Sequence, residues 1–153
     1  MIRFIALTTE TARALRLGPD AYGNPPEHRI AATGETIPCR YSLTLVPPGA
    51  GYVVVAHRPF DGLNPYTETG PVFVRTDDTP RGGGTALPAV FTAPQYITRA
   101  YGADERIRYG TGAVTPTPQI AARCEELLAD PETAFVHVRS ATNNCFFCRV
   151  ERG

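Results

Sequence analysis

From Phe135 to Gly153 the chain reads as a β-hairpin. Two runs rich in β-branched and aromatic residues, Phe135-Val136-His137-Val138-Arg139 and Cys145 to Val150, flank the polar stretch Ser140-Ala141-Thr142-Asn143-Asn144. Successive side chains of a strand alternate faces, so Val136 and Val138 share one face, which reads as core, and Phe135, His137 and Arg139 share the other. With residues 140–144 as the loop, Arg139 lies opposite Cys145 and His137 opposite Phe147. A slip of one residue would put Cys148 on the His137 face instead. The same alternation sends Cys145 and Cys148 to opposite faces of their strand.

Ahead of the hairpin, Arg3 to Leu7 reads as a short strand. A helix follows, capped by Thr8 or Thr9, with Glu10 in its first turn and Gly18 placed to stop it. Residues 19–38 read mostly as loop, long enough to serve as a lid or binding loop. Tyr41 to Val46, Gly51 to Ala56 and Val72 to Arg75 read as strands, the first two separated by Pro47-Pro48-Gly49. Two Pro/Gly-rich connections, 58–70 and 77–88, flank the third run, and Gly82-Gly83-Gly84 forms the tip of the second. Tyr96 to Tyr101 and Arg106 to Tyr109 read as strands or extended segments. A second helix starts at Pro116 or Pro118, carries the stripe Ile120, Cys124, Leu127, Leu128, and ends at Asp130-Pro131. Strands outnumber helices without alternating regularly with them. The expected class is therefore α+β: one domain, residues 1–153, with a largely antiparallel sheet, two helices and the C-terminal hairpin.

Hydrophobic residues make up 42% and charged residues 20%, and the formal charges cancel, which argues against a disordered chain and against nucleic acid as a partner. All fifteen basic residues are arginine, so Schiff-base chemistry, a lysine general base and a phosphate-loop lysine are excluded. The planar guanidinium fork suits carboxylates and phosphates. The opening residues turn polar too soon for a signal peptide, and no run has the roughly 18 apolar residues of a membrane span, so a cytoplasmic protein is expected. In a reducing compartment the four cysteines read as thiols or metal ligands rather than disulfides.

The strings Tyr66-Thr67-Glu68-Thr69-Gly70-Pro71-Val72-Phe73, Tyr101 to Gly112 and Val136 to Cys145 resemble the bacterial family catalogued as domain of unknown function 1203. The resemblance runs nearly end to end and includes Pro38-Cys39-Arg40 and Arg58-Pro59-Phe60. It implies no activity. Related sequences often read Cys-Arg-x-Cys where this chain has Cys39-Arg40-Tyr41-Ser42, and often carry another cysteine near Asp78. If that pattern is a metal site, this chain has lost part of it.

Three chemistries compete for the site. Cys145-x-x-Cys148 is half of a zinc-ribbon arrangement, to which Cys39, His57 or His137 would have to add ligands. No cofactor is expected unless that zinc is present. Cys145 beside Arg139 and near His137 would suit an activated thiol with a histidine base. The third reading uses no cysteine: Arg58, Tyr66, Glu68, Arg99, Tyr109, His137 and Arg139 fall at strand ends or adjoining loops, and Asn143 lies on the hairpin loop. They offer an anion fork, a titratable imidazole, a carboxylate and two phenols.

The expectation is a protein that binds a small anionic molecule through Arg139, Arg58, Tyr66, Tyr109 and Asn143. His137, Glu68 and Cys145 are the candidates for acid–base or nucleophilic chemistry. The alternative is a non-enzymatic structural or interaction module, with a full or degenerate zinc site at Cys145, Cys148 and Cys39. A titrating His137 would make binding change between about pH 5.5 and 7.5.

Overall fold

The structure, a computed structural model, describes Met1–Gly153. In chain order the elements are β1 (Ile2–Ile5), α1 (Thr9–Leu17), β2 (Glu27–Ile30), β3 (Gly51–His57), β4 (Gly70–Arg75), β5 (Gly83–Gly84), β6 (Gln95–Tyr101), β7 (Ala113–Pro116), a 3-10 turn (Thr117–Gln119), α2 (Ile120–Ala129), β8 (Phe135–Ser140) and β9 (Phe146–Arg152). The strands make two antiparallel sheets, one of six in the order β5-β1-β9-β8-β6-β7 and one of three in the order β2-β3-β4. The fold is α+β with two helices and a C-terminal hairpin, as the pattern predicts. No helix is long and apolar enough to cross a membrane.

Both helices follow from local signals. The Thr8 hydroxyl accepts the Thr11 N–H at 3.0 Å, so Thr8, not Thr9, is the cap of α1. Gly18 ends the helix at φ +75°, a conformation that favours glycine, and its N–H donates to the Ala14 carbonyl. Helix α2 lays Ile120, Cys124, Leu127 and Leu128 against Val136, Val138, Cys148 and Val150 of the larger sheet, the first of two cores. The second core joins Ala12 and Leu15 of α1 to Val53, Val55, Val72 and Val74 of the smaller sheet, with Phe146 reaching in from β9.

Four local expectations fail, each for a tertiary reason. Tyr41–Val46 is not a strand. Leu43 N–H bonds to Cys39 O and Cys39 N–H to Thr44 O, so the run folds into turns, with Leu43 at φ 52°. That path sends Tyr41 and Val46 into the second core and Leu43 into the first. Residues 19–38 are mostly loop, as expected, although within them Glu27–Ile30 pair with β3 as an edge strand whose four residues are all exposed. Arg106–Tyr109 contributes only an isolated bridge, Tyr101 with Ile107. The glycine tip at 82–84 is no free loop, since Gly83 and Gly84 pair with Ile5 and Phe4.

A further correction concerns the hairpin register. His137 pairs with Arg149, Val138 with Cys148, and Arg139 with Phe146, so neither Cys145 nor Phe147 stands where alternation puts it. The shift between Val138 and Arg139 leaves Phe147 as the extra residue of a β-bulge. The bulge lets consecutive phenylalanines serve both cores: Phe146 enters the second, and Phe147 joins the first, stacked on Phe91 at 5.9 Å.

The two sheets meet at residue 40. Arg40 N–H donates to the Phe73 carbonyl of β4, and the Arg40 carbonyl accepts the Leu7 N–H just beyond β1. Its side chain continues the seam, Nε donating to Phe146 O at 2.7 Å and Nη1 to Pro38 O at 2.6 Å.

Candidate functional site

A polar chamber of 290 Å³ opens beside this seam, where the hairpin loop faces the start of β4. Its functional walls are His57 at the end of β3, Glu68 before β4, Arg139 on β8, and Asn143, Asn144 and Cys145 on the hairpin loop. The Glu68 carboxylate pairs with Arg139 and also accepts from Arg99 Nη2 at 3.2 Å. Arg99 in turn donates through Nε to the Tyr101 hydroxyl at 2.9 Å. The Arg139 Nε donates to the Asn144 carbonyl and side-chain oxygen, at 3.2 and 3.1 Å, while its Nη1 is buried with no partner. Asn144 can take this position because it adopts φ 59°, which asparagine tolerates.

Charge in the chamber is unbalanced. Two guanidiniums converge on one carboxylate, so one positive charge is left over. Burial lowers the Arg139 guanidinium from its ordinary value, and Glu68 pushes it back up. The His57 imidazole is lowered to about 4, by burial first and by the Arg40 charge second, so the ring is neutral at pH 7. It brings one donor and one acceptor to the chamber and no charge.

The structure gathers Glu68, Arg139, Asn143 and Cys145 around one cavity, with Arg99 behind the carboxylate. It does not bring the other expected residues there. His137 is 0% exposed inside an aromatic cage of Phe60, Tyr101, Phe135 and Phe146, with ring centroids 4.8 to 5.0 Å away and neither ring nitrogen hydrogen-bonded. Burial, followed by the charges of Arg139, Arg149 and Arg99, holds it well below the usual imidazole range. Burial argues against the expected titration of His137 between pH 5.5 and 7.5. Phe60 and Phe146 pack against the His137 ring, so His137 does not line the chamber that Arg139 lines.

Arg58 faces a different hollow, near Leu15 and Asp20, and its Nε and Nη2 are occupied by the Phe60 and Asp61 carbonyls. Tyr66 and Tyr109 bond to each other through their hydroxyls at the surface, with Arg106 over the Tyr66 ring. The three cysteines of the zinc alternative lie in three settings. Cys145 is half-exposed on the chamber wall, Cys148 is buried opposite Val138, and Cys39 accepts the Ser42 and Arg75 N–H groups in the second core. No group of three or more His, Cys, Asp or Glu is gathered as a metal site would need.

Sequence reasoning assigned no chamber role to His57 or Asn144. His57 closes an ordinary apolar strand, and Asn144 acts through a backbone conformation that composition does not reveal. A family model described as Protein of unknown function (DUF1203) matches residues 36–152. No curated protein and no solved structure matches the chain.

Proposed function

Because the chain belongs to the DUF1203 family, whose description assigns no activity, the chamber carries the reading, and we propose that the protein binds a small anionic molecule there. The observation that supports it is the pairing of Arg99 and Arg139 with the single carboxylate of Glu68. An oxyanion entering the chamber meets a surplus positive charge and the Asn143 side chain. In its absence Glu68 acts as the internal stand-in.

The reading favours binding over turnover. Acid–base catalysis works best with a group whose pKa lies near the working pH. The imidazole on the chamber wall has been moved to about 4, which makes it a weak base. His137 is buried in its aromatic cage and does not line the chamber. The working compartment is taken to be a reducing, cytoplasmic one, in keeping with four free thiols.

Calorimetric titration with inorganic phosphate and acetate tests the proposal. Arg139→Lys weakens binding, because an ammonium on a flexible stem cannot reproduce the planar fork. Glu68→Gln strengthens it by about tenfold, roughly 1.4 kcal/mol, because the competing carboxylate is gone. Identical titrations for wild type and both variants would remove the chamber as a ligand site.

A further inference from the structure

The seam residue Arg40 is 2% exposed, yet no carboxylate lies within ion-pair distance of it. Arg75, Arg99 and Arg139 each have an acidic partner; this one has two carbonyls and two aromatic rings. Its Cζ sits 4.3 Å from the centroid of Phe147 and 5.6 Å from that of Phe73. Nε and Nη1 are engaged by Phe146 O and Pro38 O, which leaves Nη2 without a partner in the protein. Burial lowers the guanidinium to about 10, so it stays protonated at neutral pH. A buried charge without a counter-ion is expensive to keep.

Arg40 also lines a cavity of 570 Å³, within the range of small-molecule sites. Phe73, Val90, Tyr96 and Phe147 give this cavity apolar walls, and Cys145 stands on the side it shares with the polar chamber. We propose that this cavity is a second ligand site, which takes a small molecule with one carboxylate on a flat apolar body, the carboxylate held by Arg40.

The geometry selects the ligand class. Phe147 and Phe73 crowd the guanidinium, and Nη2, which has no protein partner, is the nitrogen left for an anion. One unpaired cation balances one negative charge. A phosphate dianion would bring a second charge among Phe73, Val90 and Phe147, where nothing compensates it. The walls reward an apolar or aromatic body instead, through burial and ring packing. As a strut between the sheets alone, Arg40 would need its hydrogen bonds but not its charge.

Benzoate and its neutral analogue benzamide are the probes, titrated into the intact chain by calorimetry. A parallel measurement follows the rate at which iodoacetamide alkylates Cys145. Wild type is expected to bind benzoate at least about tenfold more tightly than benzamide, and benzoate, not benzamide, should slow alkylation of Cys145. Arg40→Met should lose the benzoate response and keep the phosphate response of the polar chamber. Benzoate and benzamide binding equally, no benzoate binding, or an Arg40→Met protein that still binds benzoate would each overturn the proposal. If Arg40→Met does not fold, the benzoate–benzamide comparison on wild type decides alone. The two ligand readings fail separately: benzoate binding without phosphate removes only the polar chamber, and phosphate binding without benzoate removes only this site.

Discussion

At the residue scale, burial decides which titratable groups can act. His57 and His137 are both held below the ordinary imidazole value, His57 at about 4. The unfolded chain takes up protons near pH 6.5 that the folded chain refuses. Stability is therefore greatest above about pH 6.5 and falls as the pH drops towards 4, by up to about 1.4 kcal/mol per pH unit for each histidine. Urea unfolding at pH 7.5 and pH 5 should show this loss. His137→Phe should fold and show a shallower loss, since the aromatic cage already offers ring contacts and no hydrogen bond is forfeited; an unchanged pH response would refute the assignment. Thiol reactivity sorts the same way. Burial pushes the Cys124 thiol up to about 12 and raises Cys148 as well, and Cys39 is 0% exposed. Brief alkylation of the folded chain should label Cys145 alone by mass spectrometry, with the other three reacting only in denaturant. Cys124 was legible from its helical stripe, because periodicity reports burial. Arg40 was not, because its neighbours on both faces come from β4, β9 and the segment after β1, all distant in the chain.

At the scale of elements, what could be read was what local chemistry decides. The α1 cap, narrowed to Thr8 or Thr9, the Gly18 stop and the α2 stripe each depend on a few neighbouring residues, which made them legible. The strand at Glu27–Ile30 was missed because an edge strand with both faces in water has no alternation to reveal it. Tyr41–Val46 misled because an apolar run records burial, not the direction of burial, and this one divides between two cores. The hairpin bulge escaped for a related reason: alternation assumes one residue against one, and Phe147 breaks that count. Two substitutions test the elements. Thr8→Ala should destabilise the fold by about 1 kcal/mol, through loss of the α1 cap. Gly82→Ala should do more damage, because the new methyl would lie 2.0 Å from the Ser42 carbonyl oxygen, a backbone atom that cannot yield without moving the turn. Denaturant midpoints would rank them, and a Gly82→Ala midpoint equal to wild type would show that the turn relaxes freely.

For the whole molecule, the fold class was more legible than the site. Glu68, Arg139, Asn143 and Cys145 were named from the chain and meet at one cavity, but Arg58, Tyr66, Tyr109 and His137 go elsewhere, since strand ends say little about which loops turn towards each other. The junction of the two sheets has a thermodynamic consequence. One residue, Arg40, lends its N–H to β4, its carbonyl to the segment after β1, and its side chain to β9. Neither core can come apart without stripping groups that the other core holds in place. The protein should accordingly melt in one step despite its two sheets, with the heat absorbed on scanning equal to that inferred from the sharpness of the transition. Two resolved heat-absorption peaks would mean that the sheets are thermally independent.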